Sequence, residues 1–183
     1  YEVFGIGRRR GGSTITQQLS KNAFLSSERS YLRKLRELIL AIRLERAYEK
    51  DKILELYLNR IPYGNNAYGV ELASQIYFSK PAKEVTLAEA AIISALPQAP
   101  TRYSPYGENA YSTITRSLTP EEIKKRDIKS VQDLKESEYS FGLIGKDIQI
   151  SEGRLISVPG RVDLVLRRMK NLGYITSLEE DQA

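Results

Sequence analysis

The run GGSTITQQLSKNAFLSSERSYLRKLRE, from Gly11 to Glu37, constrains this chain more than any other stretch. Gly11 and Gly12 let the backbone turn sharply and approach a ligand closely. Ser13 or Thr14 can cap a helix that runs on through Gln17 to Asn22, and the pattern predicts that helix over Ser13–Phe24. Thr14, Gln17, Gln18 and Lys21 are three or four residues apart, so they share one helical face. That face carries hydrogen-bond donors and one fixed positive charge. Arg33, Lys34 and Glu37 form a second cluster, with Arg33 and Glu37 at i, i+4. A phosphate or pyrophosphate suits the combined set, because guanidinium binds oxyanions bidentately and ammonium serves as a point charge. Taken singly, each feature has a plainer reading. Gly-Gly-Ser-Thr is a loop and helix cap, paired glutamines fill surfaces, and Arg33–Glu37 is a solvated pair worth about 0.3–0.5 kcal/mol.

Composition narrows the chemistry. The chain has 183 residues, 41% of them hydrophobic, which is enough for one cored domain. It contains neither Cys nor His. A disulfide framework and a cysteine nucleophile are thereby excluded, and acid–base work falls to carboxylates, Lys or Tyr. No apolar run approaches the ~20 residues of a membrane-spanning helix. Between Arg8 and Arg60 stand 13 basic and 6 acidic residues, a balance of +7 against +5 for the whole chain. A basic half of this kind suits an anionic lipid surface or, as a rival, nucleic acid.

Further along, a long helix is predicted over Ser27–Tyr48, opened by Ser26 or Ser27. Leu32, Leu35, Ile39, Ile42 and Ala47 recur at helical spacing and predict its buried stripe, with Glu37 off that stripe and free to face a cleft. Lys50–Arg60 is a third helix with Ile53, Leu54, Tyr57 and Leu58 inward and Asn59 at its end. Gly69–Phe78 is a fourth. Thr86 and Glu89 form a capping box for a fifth, which runs through Ala95. Thr119, Pro120 and Glu122 open another. Tyr139–Leu143, Asp147–Ile150 and Arg154–Val158 read as short strands, with Glu152-Gly153 as a hairpin turn. Val162–Leu172 is a strong helix stopped by Gly173, and Thr176 with Glu179 starts a terminal one. Tyr1–Gly7 reads as a short strand or the end of a longer segment, and Arg8–Arg10 as a basic turn.

Four motifs in this order carry a resemblance: GGSTITQQLSKN, SERSYLRKLRE, ILELYLNRIPYGNNAYGVELASQIYF and VTLAEAAIISALPQAPTRYSP. Together they resemble the peptidoglycan glycosyltransferases of glycosyltransferase family 51. The likeness covers Gly11–Tyr106 and returns at VDLVLRRMKNLGYIT. It implies a mainly α fold, a lysozyme-like helical lobe, here with a small α+β insertion. The domain reading is one glycosyltransferase domain over 1–183, with 11–106 and 161–178 as the family-like core and 111–160 as the insertion.

The resemblance also implies an activity. It is a hexosyltransferase that polymerises lipid II into glycan strands, with inversion and with undecaprenyl pyrophosphate as leaving group. Ser13, Thr14, Gln17, Gln18, Lys21, Asn22 and Asn59 would bind substrate. Arg33 and Lys34 would stabilise the leaving group, and Glu37 would orient those cations, the acceptor pyrophosphate or a divalent ion such as magnesium. From the residues themselves, Asn59 reads better as a helix C-cap and Tyr57 as core. Expected partners are lipid II, the growing glycan chain, the membrane surface, a fused transpeptidase domain and cell-wall assembly proteins. The expected location is the outer face of the bacterial cytoplasmic membrane, within a membrane-anchored protein. The acidic first motif of the family, which holds its general base, is not found in this sequence, so weak or absent polymerisation by the chain alone is expected. A non-catalytic lipid II-binding or scaffolding module is therefore the alternative. Nucleic acid is not an expected partner, since the basic residues are interleaved with Gln, Ser and Glu in the family's order.

Overall fold

A computed structural model describes residues 12–24, 30–151 and 153–183. The readings of Tyr1–Gly7, Arg8–Arg10, Gly11 and the Ser26 or Ser27 cap lie outside the described residues. The chain is mainly α. It divides into two compact units, Tyr1–Ile61 and Pro62–Ala183.

The first unit packs three helices: α1 (Ile15–Phe24), α2 (Tyr31–Ala47) and α3 (Lys50–Leu58). Helix α1 starts two residues later than the sequence suggests. Thr14 stands before it, its Oγ1 accepting from the Gln17 N–H at 3.2 Å while Gln17 Oε1 accepts from the Thr14 N–H at 3.3 Å. This reciprocal pair satisfies two N–H groups that the first turn leaves open. Helix α2 is capped by Ser30, whose Oγ accepts from the Arg33 N–H at 3.1 Å.

The expected buried stripe of α2 is not buried. Leu32, Leu35, Ile39 and Ile42 are 67%, 55%, 43% and 46% exposed, and Ala47 is exposed as well. The buried residues of α2 are Glu37 and Ala41. The cause lies in what α1 offers. Among its residues of described burial, Thr16, Leu19 and Ser20 are buried, two of them polar. Thr16 Oγ1 donates to Glu45 Oε1 of α2 at 2.7 Å, so α1 meets the charged, small-residue side of α2. In α3, Ile53 and Tyr57 are buried as expected, whereas Leu54 is 42% exposed. Asn59 ends α3, its Nδ2 donating to the Glu55 carbonyl at 2.9 Å.

The second unit opens with a hairpin of β1 (Pro62–Gly64) and β2 (Ala67–Tyr68). Asn65 and Asn66 take positive φ there, which asparagine tolerates. Helices α4 (Val70–Phe78) and α5 (Leu87–Ala95) follow, α5 under the expected Thr86/Glu89 capping box. The insertion contains β3 (Thr113–Ile114), α6 (Pro120–Arg126), β4 (Tyr139–Ser140), β5 (Lys146–Ser151) and β6 (Arg154–Val158). Strand β3 pairs with β4, and β5 with β6, both antiparallel. Glu152 of the expected hairpin turn lies outside the described residues, and Gly153 has φ 70°. The predicted strand over Tyr139–Leu143 stops at Ser140. Beyond it the Gly142 N–H donates to Ser112 Oγ at 2.9 Å and the Leu143 N–H to the Asn109 carbonyl at 2.9 Å. Ile123, Ile128, Val131, Leu134, Ile156 and Val158 form the core of this α+β part. Helix α7 (Arg161–Asn171) packs on α5, and α8 (Ser177–Gln182) closes the chain under its Thr176/Glu179 capping box.

Candidate functional site

The residues singled out from sequence all fall in the first unit. Lys34 is the joint between two of its helices. Its Nζ donates to Ser13 Oγ, just ahead of α1, at 2.9 Å, and to Glu37 Oε1, one turn along α2, at 2.5 Å. The Glu37 side chain is 3% exposed and that of Lys34 53%. The carboxylate is thus the deep end of the pair and the ammonium the accessible end. Removing the ammonium would leave the buried carboxylate uncompensated, which is costly.

Gln18 extends the cluster. Its Nε2 donates to the Ser13 carbonyl at 3.3 Å, and its Oε1 accepts from the Tyr57 hydroxyl of α3 at 3.2 Å. One connected chain therefore runs Glu37–Lys34–Ser13–Gln18–Tyr57 over all three helices. Tyr57 is the member that sequence reasoning read as core. It is buried, and burial pushes its phenol above the ordinary value. Nothing in sequence spacing signals a contact between residues 39 apart.

The other predicted residues are placed differently. Thr14 and Gln17 form the helix cap, and Asn59 caps α3. Lys21 and Asn22 are exposed on α1. Arg33 is half-buried, and its Nε is buried with no hydrogen-bond partner among the described residues. A buried guanidinium N–H without a partner is costly, and an incoming acceptor would relieve it. Glu45, outside the predicted set, accepts from Thr16 and pairs with Lys50. Those two contacts, Thr16 first, hold its carboxyl below the usual value.

The cluster still has donors to offer. Lys34 has one N–H beyond those engaged with Ser13 and Glu37, Gln18 has a second amide N–H, and Ser13 has its own hydroxyl proton. The first turn of α1 carries no acid. Donors of this kind suit an oxyanion. A divalent cation would find one protein carboxylate here. No three His, Cys, Asp or Glu residues gather around a common point among the described residues, so such an ion would be held chiefly by ligand oxygens.

A family model described as Transglycosylase matches residues 2–126, which include every residue of this cluster. The chain belongs to the transglycosylase family. It is 51% identical over 115 residues to penicillin-binding protein 1A of Pseudomonas aeruginosa, a match covering 63% of this chain and 14% of that protein. It is 46% identical over 143 residues to penicillin-binding protein 1A of Aquifex aeolicus, covering 72% of this chain and 20% of the relative. The crystal structure of penicillin-binding protein 1A from Haemophilus influenzae is similar over 93% of this chain and 15% of that one, at 24% identity and a TM-score of 0.42. The chain thus spans a fifth or less of the curated relatives it matches. The family match ends in α6, so β4, β5 and β6 of this transglycosylase chain lie beyond it.

Proposed function

We propose that the chain is a peptidoglycan glycosyltransferase domain that polymerises lipid II, acting over 1–183 as one domain with 11–106 and 161–178 as its core. The observation that carries this is the Ser13–Lys34–Glu37 cluster, a cation held between a hydroxyl and a buried carboxylate, inside the segment that matches the family. Transfer from a polyprenyl pyrophosphate sugar builds negative charge on the departing pyrophosphate. Donors fixed before that charge appears stabilise it without reorganising. Lys34 and Arg33 would meet the pyrophosphate. Ser13, Gln18 and Lys21 would grip its oxygens and the sugar, and Thr14, Gln17, Asn22 and Asn59 complete the proposed substrate-binding set. Glu37 would hold Lys34 in place, because a lysine on a four-carbon stem needs a fixed anchor to act as a positioned charge. The reaction inverts the anomeric carbon, the 4-hydroxyl of the incoming lipid II attacking as undecaprenyl pyrophosphate leaves. The proton of that hydroxyl is assigned to no described residue.

In the same proposal the domain works at the outer face of the bacterial cytoplasmic membrane, within a membrane-anchored protein that also carries a transpeptidase domain and meets cell-wall assembly proteins. No described helix is long and apolar enough to cross a membrane. The test is lipid II polymerisation by the full-length protein and by its Lys34→Ala and Glu37→Gln variants. Near-wild-type polymer from folded variants would show the site to be misassigned. Tight lipid II binding without turnover by the wild-type protein would favour the scaffolding alternative.

A further inference from the structure

Among the described residues Tyr57 reaches the cluster through Gln18, and the geometry of that contact is directional. The Ser13 carbonyl can only accept, so it must face the amide nitrogen of Gln18, 3.3 Å away. The amide oxygen then faces the Tyr57 hydroxyl, which donates to it at 3.2 Å. Turning the amide over would set its oxygen against the Ser13 carbonyl, two acceptors with no proton between them. The Tyr57 ring is packed in the first unit at 9% exposure. Its raised phenol value keeps the hydroxyl protonated and able to donate. Gln18 is thereby fixed at both ends, with one N–H left over.

We propose that Tyr57 is a positioning residue that holds the oxygen end of the Gln18 amide, whose polarity the Ser13 carbonyl sets, so that the remaining Gln18 N–H is kept in place for the pyrophosphate of a polyprenyl-linked substrate. This rests on the glycosyltransferase reading. The polarity matters because the ligand is an anion. An amide N–H attracts an oxyanion, and an amide oxygen in the same place repels it. With phenylalanine at position 57 the ring still packs and the Ser13 carbonyl still takes the amide N–H, but the oxygen of Gln18 loses its partner and the side chain is held at one end only.

The experiment is a double-mutant cycle in the full-length protein, reading affinity for undecaprenyl pyrophosphate in detergent micelles with neutral undecaprenol as control. Tyr57→Phe is expected to weaken pyrophosphate binding by about fivefold, the size of one ordinary hydrogen bond, and to leave undecaprenol binding unchanged. Gln18→Ala weakens it at least as much. The double variant matches Gln18→Ala alone, because Tyr57 has nothing left to orient. Melting temperatures of all variants are read alongside. Additive losses, an unchanged Tyr57→Phe affinity, or a Tyr57→Phe protein that fails to fold would each overturn the proposal. If the wild-type protein does not prefer undecaprenyl pyrophosphate to undecaprenol, the glycosyltransferase reading falls and takes this inference with it. A wild-type preference with an additive cycle sinks this inference alone.

Discussion

Glu37 and Lys34 form a single ion pair whose ends live in different surroundings, the carboxylate 3% exposed and the ammonium 53%. Removing either end has a different consequence. Lys34→Ala strands a buried carboxylate and is expected to cost about 1–3 kcal/mol of stability as well as the site's cation. Glu37→Gln keeps shape and hydrogen-bonding capacity but unpins Lys34. Polymerisation by the full-length protein should fall by about 10²–10³ in either variant, the usual loss when one preorganised charge-stabilising group is removed. Thermal melts separate the two, since Glu37→Gln should stay close to wild type.

The exposed apolar side of α2 makes the opposite prediction. Leu35 and Ile39 are 55% and 43% exposed, so replacing both with serine removes little buried surface. A combined cost under about 1 kcal/mol in denaturant unfolding is expected. A loss of several kcal/mol would mean that this side is covered in solution.

That helix also shows where the sequence was legible and where it was not. Caps are local, and the boxes at Thr86, Thr119 and Thr176 stand where the spacing puts them. Helix existence followed from period and punctuation, and the mainly α class with it. Which face of α2 turns inward is a tertiary matter. The apolar residues are more numerous on one side, but the buried Thr16 of α1 bonds Glu45 on the other side, where Glu37 and Ala41 are buried. Spacing pairs Glu37 with Arg33 as a solvated i, i+4 pair, but Glu37 is buried and pairs with Lys34 at i, i+3, and the links from Lys34 to Ser13 and from Gln18 to Tyr57 join residues 21 and 39 apart. No periodicity encodes such a contact.

In the insertion, Glu138 is a buried carboxylate with full coverage. Arg126 donates to both its oxygens at 2.9 Å, Arg116 donates at 2.7 Å and the Lys135 N–H at 2.9 Å. These contacts, Arg126 first, hold its carboxyl down at about 2, against an ordinary value of 4.5. A carboxylate whose folded value is depressed stabilises the fold above its unfolded value. That contribution should be complete above pH 4.5 and disappear as pH falls toward about 2. Glu138→Gln should lower the melting temperature at neutral pH, and the gap to wild type should narrow across that acid window. Arg116 and Arg126 keep side-chain exposures of 45% and 26%, so they can regain water when the carboxylate is lost. The cost at neutral pH is therefore expected at the low end for a broken buried pair, about 3 kcal/mol.

Gly142 stands where the Ser112, Ile144 and Pro159 segments of the insertion meet the start of α7. Its N–H donates to Ser112 Oγ at 2.9 Å, and its carbonyl accepts from the Arg161 N–H at 3.1 Å. Ser112 Oγ in turn donates to the Pro159 carbonyl at 2.9 Å, and the Ser112 N–H donates to the Ile144 carbonyl at 2.8 Å. A Cβ at Gly142 would overlap the Tyr111 carbonyl group and the Ser112 nitrogen. Backbone cannot swing aside as the tip of a side chain can, so the alanine variant must pull these segments apart. Gly142→Ala is expected to cost roughly 3 kcal/mol or more, read by denaturant unfolding. Hydrogen exchange should show the loss concentrated at the Ser112, Leu143 and Ile144 amides. The first unit contains none of these bonds, so the Lys34–Glu37 pair should survive, and pyrophosphate-lipid binding by the folded fraction should match wild type.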